Sequence, residues 1–511
     1  MKNKLILYWS RRDFRLNDNP ALYKAIEYSK AKNIPLLPIF ILEKYMTAGD
    51  ERYQFGYPSQ YFLSQTLPVF GSKFNNFTIV QGTVMQVFER IGDKFDIEIF
   101  VNEDVHPDFY KQIKKLQSRG YKVNIYNDQM TADKNTVSGT GNLYSVFTPF
   151  KKVIWQKFLD YPEVGISTPN EIVDLSSQQL ELINKIDGIF RYTQGEESPK
   201  SNQLLKVFNN VRKIKVGSYI LDLNQLTDKP NLEQWYWSEE DSMARFDAYL
   251  NSELLSDYKQ NRDSLEFDTD IKKFEDMVLS GKTSKMSLAL SWGLVSARTL
   301  KNKILDYYGQ DFSNFYSTSV NQGALVYLSE LIWREFYKYI FYHRPQVLDT
   351  EFQEKFRGTI KWVSDEVALE RFTAWTKGQT GYPAVDAAMN QISQTGWMHN
   401  RSRMMVASIL TKNLGVDWRW GQEYFRAVLI DMDEASNNGG WQWAASVGAD
   451  PKPIRIFNPY LQAQNYDKNN LYQKQWLPKG YQAIPIIEHK DARTEAMKRY
   501  GLSERGAARD F

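Results

Sequence analysis

The 511-residue chain reads as an α/β domain with a doubly wound parallel sheet, followed by an all-α domain. Three observations predict this. Short apolar runs alternate with helix-like polar segments over the first 130 residues, strand signals fade after about residue 200, and helical periodicity then continues to about residue 450. The expected division is 1–130 for the α/β domain, 131–200 for a connector and 201–511 for the helical domain.

Five runs supply the strands: "LILYW" (5–9), "PLLPIFIL" (35–42), "FTIVQG" (77–82), "IEIFVNE" (97–103) and "YKVNIYN" (121–127). Continuous apolar runs of this length suit parallel strands covered on both faces. Segments 20–32, 58–70, 83–94 and 107–119 have the character of the intervening helices. The first strand runs into "SRRDFRLNDNP", where a dinucleotide-binding fold would carry its glycine fingerprint. Arg11, Arg12 and Arg15 in that stretch suit either an anion or salt bridges, and "SGTGN" (138–142) reads as a turn. The connector turns rich in Ser, Gln, Asn and Pro towards its end. "HKDARTEAMKRYG" near the C-terminus reads as a short basic helix.

Composition removes several classes of chemistry. Without cysteine there is no disulfide, thiol nucleophile, thiolate zinc site or iron–sulfur cluster. The four histidines (His106, His343, His399, His489) lack ligand spacing, so no metal is expected. "MKNKLILYWSRRDFRL" does not read as a signal peptide, and no run approaches the roughly 20 apolar residues of a membrane span. A cytoplasmic protein with no membrane partner is therefore expected. A net charge of +3 requires any nucleic-acid contact to come from a local patch. Aromatic residues make up 14% of the chain, and eight of the fourteen tryptophans fall between Trp333 and Trp443. Such clustering suits a dense core, stacking on a planar ligand, or electron hopping between indoles.

Four stretches of the helical half carry candidate chemistry. In "YLSELIWREFYKY" (327–339), helical spacing puts Tyr327, Glu330, Trp333 or Arg334, and Tyr337 on one face. Glu330 admits two readings: an i,i+4 pair with Arg334 on a solvated edge, or a carboxylate lining an apolar pocket. In "TGWMHNRSRMMVASIL" (395–410), a helix opening at Trp397 would put Trp397, Asn400, Arg401 and Met404 on one side and Arg403 on the other. That face suits a nucleobase and its phosphate, although the apolar members also suit a core. In "LIDMDEASNNGGWQWAASVGAD" (429–450), Asp431 and Asp433 are too few for a hard-cation site and suit an arginine and the polar groups of an organic cofactor. A helix from Asn437 would turn Trp441 and Trp443 to opposite sides. Finally, "GKTSKMSLALSWG" (281–293) is a hydroxyl-rich loop entering a helix, suited to a phosphate or simply to an N-cap.

Taken in order, "WSRRDFRLNDNPAL" (9–22), "NLYSVFTPF" (142–150), "ELIWREFY" (330–337), "GYPAVDAAM" (381–389), "GWMHNRSRM" (396–404) and "NNGGWQWAASVGAD" (437–450) resemble the photolyase/cryptochrome flavoproteins. Asn400 in "WMHNR" is similar to the class I cyclobutane pyrimidine dimer photolyases. The resemblance implies an antenna-type α/β domain and a helical domain holding FAD, active as FADH⁻, with folate or deazaflavin as a possible second chromophore. It implies light-driven repair of UV-damaged DNA by a monomer; the alternatives are a cryptochrome-type photoreceptor or a (6-4) photolyase. Carried over by position, Tyr258, Thr283, Ser284, Lys285, Met286, Ser287, Arg334, Asn400, Arg403, Asp431, Asp433 and Asn437 would hold FAD. Glu330, Trp333, Asn400, Arg401, Met404 and Trp443 would receive the flipped dimer. Glu330 would stabilise developing charge there, and Trp441, Trp418 and Trp362 would pass electrons to the flavin. Lys452 and Arg455 are further cations expected near the DNA.

Overall fold

The computed structural model describes residues 2–47, 54–131, 133–193, 204, 206–208, 213–265, 282–449 and 454–502. The five expected strands are β1 (Asn3–Ser10), β2 (Leu36–Leu42), β3 (Asn76–Gln81), β4 (Phe95–Asn102) and β5 (Lys122–Tyr126). They pair in parallel in the order β5-β4-β1-β2-β3. Between them run α1 (Pro20–Lys32), α2 (Tyr57–Gly71), α3 (Val84–Gly92) and α4 (Pro107–Ser118), close to the predicted helices. Local chemistry sets their ends. Asn19 caps α1 ahead of Pro20, and Thr83 and Gln86 form a reciprocal capping box on α3.

Period-2 alternation sorts β1 between two cores. Leu5, Leu7 and Trp9 pack with Val87, Phe88 and Phe109, while Ile6 and Tyr8 face the other way. That second face belongs to a core that continues without a break into the helical half.

The expected connector is more than a link. Its helix α5 (Phe147–Asp160) sends Phe147 flat onto Trp333, ring centroids 3.6 Å apart. Further on, α6 (Ser177–Asn184) leads to β6 (Ile189–Thr193), which adds to β3 as an antiparallel sixth strand. A hairpin, β7 (Lys213–Val216) and β8 (Tyr219–Asp222), also falls where only helices were expected. Both strand pairs are short, and their signal is lost among polar neighbours.

The helical half comprises α7 (Glu239–Asn251), α8 (Ser287–Trp292), α9 (Ala297–Tyr308), α10 (Gln322–His343), α11 (Asp365–Thr376), α12 (Pro383–Thr395), α13 (Asn400–Ser408), α14 (Trp418–Val428) and α15 (Glu434–Ala444). Three further helices, ending in the predicted basic helix (His489–Arg499), follow. Among the described residues no helix is long and apolar enough to cross a membrane.

A buried ion network joins the halves. Arg298 on α9 donates to Asp18 at 2.5 Å and to Asp128 at 2.7 Å, and Arg15 also pairs with Asp128. None of the four side chains is more than 5% exposed. Burial would raise the Asp128 carboxyl, but Arg15 and Arg298 hold it below the ordinary value. Its contribution to stability is therefore complete above an ordinary aspartate pKa of roughly 4, and is lost as pH falls through the depressed one. Asp128→Asn would leave two buried guanidinium groups short of a counter-charge. It should cost about 3–5 kcal/mol in urea unfolding, with the wild-type advantage shrinking in acid.

Candidate functional site

A cavity of about 540 Å³ opens among the helices. One side is the loop 283–287 at the start of α8. Lys285 there has φ +53°, a left-handed conformation that turns the chain sharply. The Tyr236 hydroxyl donates to the Lys285 carbonyl and Arg245 Nε to the Ser284 carbonyl, both at 2.9 Å. The loop is thus pinned from behind, and Thr283, Ser284, Lys285, Met286 and Ser287 all line the cavity. Burial, with the Arg245 charge adding to it, pushes the Lys285 amine down to about 7.

Helix α10 presents the predicted face: Tyr327, Glu330, Trp333, Arg334 and Tyr337 border the cavity. Tyr258 borders it too, its ring edge-on to Tyr327 with centroids 5.2 Å apart. The i,i+4 pair of Glu330 with Arg334 does not form. Arg334 donates to the carbonyls of Gln129 (3.0 Å) and Leu290 (3.4 Å), whereas Glu330 pairs with Arg262. Burial nevertheless keeps the Glu330 carboxyl above its ordinary range. Arg262 was not selected from the sequence, since only the fold brings it to a residue 68 positions away.

Helix α13 begins at Asn400 rather than Trp397. Gly396, at φ +68°, ends α12, and His399 caps the new helix by accepting the Arg401 N–H at 3.1 Å. Trp397, Asn400 and Met404 still reach the cavity, and so does Arg403. Arg401 is not in its wall; Asp263 holds it, and its guanidinium lies 4.2 Å over the Tyr466 ring. Burial pushes the His399 imidazole down to about 4.

Arg403 Nη2 donates to both oxygens of Asp431, at 3.0 and 2.7 Å. Asp433 caps α15 through the Ser436 N–H (2.8 Å) and pairs with Lys338 at 2.9 Å. Burial would raise the Asp433 carboxyl, but Lys338 and Arg334 hold it far below the usual range. From α15, Asn437, Gly440, Trp441 and Trp443 all border the cavity. The two indoles, two positions apart on the helix, meet different neighbours and differ in depth. Trp441 is 2% exposed against Phe425, while half-buried Trp443 lies under the Arg455 guanidinium. Gly421 makes room for Trp441: a Cβ built there would fall 2.0 Å from the indole.

Trp418 and Trp362 lie away from the cavity. Trp418 is fully buried with Nε1 donating to Glu351 at 3.4 Å, and Trp362 meets Tyr500 edge-on. The indole touching Trp441 is Trp375, centroids 6.1 Å apart, which the sequence reading did not select. Lys452 lies outside the described residues.

A second cavity of about 370 Å³ lies at the carboxyl ends of the strands, lined by Trp9, Arg11, Arg12, Glu43, Tyr45, Asp104 and Trp292 among others. It adjoins β1, where the strand order reverses, the usual ligand crevice of an open α/β sheet. Asp433 borders both cavities.

Comparison with known proteins agrees with this arrangement. The model of the DNA photolyase domain matches residues 6–169, and that of the FAD binding domain of DNA photolyase matches residues 327–500. A deoxyribodipyrimidine photo-lyase of Synechococcus sp. is 32% identical over 93% of this chain and 87% of its own length. The chain belongs to the DNA photolyase family. The photo-lyase of Vibrio cholerae is 30% identical over 92% of this chain and 90% of its own. The crystal structure of a bacterial class III photolyase from Agrobacterium tumefaciens superposes with a TM-score of 0.73 at 25% identity, covering 98% of each chain.

Membership of this photolyase family brings FAD as the cofactor, and the larger cavity fits it. Arg334 Nε and Trp441 Nε1, on two lining residues, are buried without a partner among the described residues. A Cβ built on Gly440, which also borders the cavity, meets nothing within 4 Å. The hydroxyls and the amine of 283–287 suit phosphates, and the Arg403–Asp431 pair offers charge and hydrogen-bonding groups to a polar ring edge. A phosphate beside Lys285 would raise its pKa from about 7, so that binding takes up a proton in mildly alkaline solution. FAD affinity should therefore fall above pH 7, by at most roughly tenfold per pH unit. Lys285→Arg should flatten that profile in titrations followed by flavin fluorescence.

Proposed function

We propose that this protein is a light-driven repair enzyme, a deoxyribodipyrimidine photo-lyase acting on cyclobutane pyrimidine dimers in UV-damaged DNA as a cytoplasmic monomer. One observation carries the reading: a single cavity has two kinds of wall. The hydroxyl loop 283–287, Arg403 with Asp431, Asp433 and Asn437 suit a flavin nucleotide, whereas Glu330, Trp333, Asn400, Met404 and Trp443 suit an extruded pyrimidine pair. Reduced FAD, when bound and excited by blue light, supplies the electron that opens the cyclobutane ring and takes it back afterwards.

The chain's own residues do the rest. Extruding a dimer costs a few kcal/mol, less than for an intact pair, because its stacking is already poor. Trp333, held flat by Phe147, and Trp443, under Arg455, give rigid aromatic walls for the extruded nucleotides. Glu330, whose carboxyl sits above its ordinary range through burial, is placed to donate a hydrogen bond to a pyrimidine carbonyl when protonated. Arg262 fixes its orientation. Trp441, at the cavity wall and in contact with Trp375, and Trp418 and Trp362 are the indoles available to re-reduce the cofactor. The second cavity is the place for an antenna chromophore, folate or deazaflavin.

The test is blue-light treatment of oligonucleotides carrying a cyclobutane dimer or a (6-4) product. Restoration of the first alone is expected. Restoration of neither by flavin-loaded protein would overturn the repair reading in favour of a photoreceptor. Glu330→Ala should slow dimer repair by about 100- to 1000-fold, as loss of one stabilising group in a dry site does, with flavin absorbance unchanged.

A further inference from the structure

Two consecutive residues hold the two polar groups expected to meet the substrate. Arg262 takes the Glu330 carboxylate, and Asp263 takes the Arg401 guanidinium. The second pair is two-pronged, with Nη2 to Oδ2 at 2.7 Å and Nε to Oδ1 at 3.3 Å. An arginine offers a phosphate the same fork. Tyr466 completes the seat beneath the guanidinium. The carboxylate keeps 28% of its side chain in solvent, against 14% for Arg401, so an incoming phosphate can replace it without stranding a buried charge. Arg401 follows directly on Asn400, which borders the cavity, so a strand threading a nucleotide inward would pass this pair.

We propose that Asp263 is an internal carboxylate that occupies Arg401 in place of a DNA phosphate and holds down the affinity for DNA until a strand displaces it. This rests on the reading that damaged DNA is the substrate.

The argument is one of differences between two complexes. Undamaged duplex brings phosphates alone. Trading Asp263 for one of them exchanges one charge-assisted pair for another and sets a second anion beside the displaced carboxylate, so Arg401 stays where it is. Duplex with a dimer also fills the cavity, and those contacts offset the exchange. The dimer complex bears the cost of the exchange, so Asp263 weakens specific binding at least as much as non-specific binding.

Flavin-loaded protein in the dark, titrated by fluorescence anisotropy with a labelled duplex with or without one dimer, tests this across a salt series. Asp263→Asn should bind undamaged duplex on the order of tenfold tighter, with a log–log salt slope steeper by about 0.9, one added phosphate contact. Binding of the damaged duplex should tighten at least as much, because its complex no longer bears the cost of displacing the carboxylate. Asp263→Glu, which keeps the carboxylate, should behave as wild type, and Asp263→Ser serves in the same assay if D263N does not fold. Unchanged binding to both duplexes, or a gain with the undamaged duplex alone, sinks the proposal alone. A wild-type protein that binds both duplexes equally sinks the repair reading and this proposal with it.

Discussion

Everything at the cavity depends on the exchange of charge between Arg15, Asp18, Asp128 and Arg298. Two guanidinium groups and two carboxylates leave water together, balance one another, and tie the loop after β1 to helix α9. Arg15 also donates to the Gly293 carbonyl at 3.1 Å, and Ser296 to Asp18 at 2.6 Å. Gly293 ends α8, and a Cβ there would fall 1.9 Å from the Arg12 carbonyl oxygen. The segment carrying the hydroxyl loop is therefore clamped to the sheet within a side chain's width. Such a network adds little net stability over an apolar replacement. Its effect is on geometry, because its directional bonds leave no freedom to slide.

The cavity shows the complementary use of charge. Two cations at its wall have carboxylate partners, Arg403 with Asp431 and Arg262 with Glu330, and Lys338 beside the second cavity holds Asp433. The interior can then hold polar groups at fixed positions without a large uncompensated field. Burial lowers the Lys285 pKa to about 7, so its charge state responds to an anion.

Much of this was legible in the sequence, for identifiable reasons. The five parallel strands are buried on both faces, so each reads as a continuous apolar run, and the helices between them carry their caps in sequence. β6 and the β7–β8 hairpin were missed because four or five residues among polar neighbours carry too little pattern. Helical spacing grouped Glu330 with Arg334 and Asn400 with Met404, the resemblance added Asp431 and Asn437, and all six border the cavity. It failed for Arg401, whose direction is decided by Asp263 and Tyr466, and for Arg262, whose partner is known only once the chain has folded. Indole contacts were the least legible, because two buried rings meet by packing of helices distant in sequence, as Trp375 and Trp441 do.

The alternation in β1 has a last consequence. Ile6 and Tyr8, with Phe40 and Phe100 beside them, share one uninterrupted apolar interior with Trp292, Leu328 and Trp441. A boundary drawn at residue 130 or 200 cuts through that interior. A fragment ending there would present a greasy sheet face to water, and its counterpart would present the matching helices. Truncation is thus a poor way to dissect this protein, because either fragment would lose part of its core.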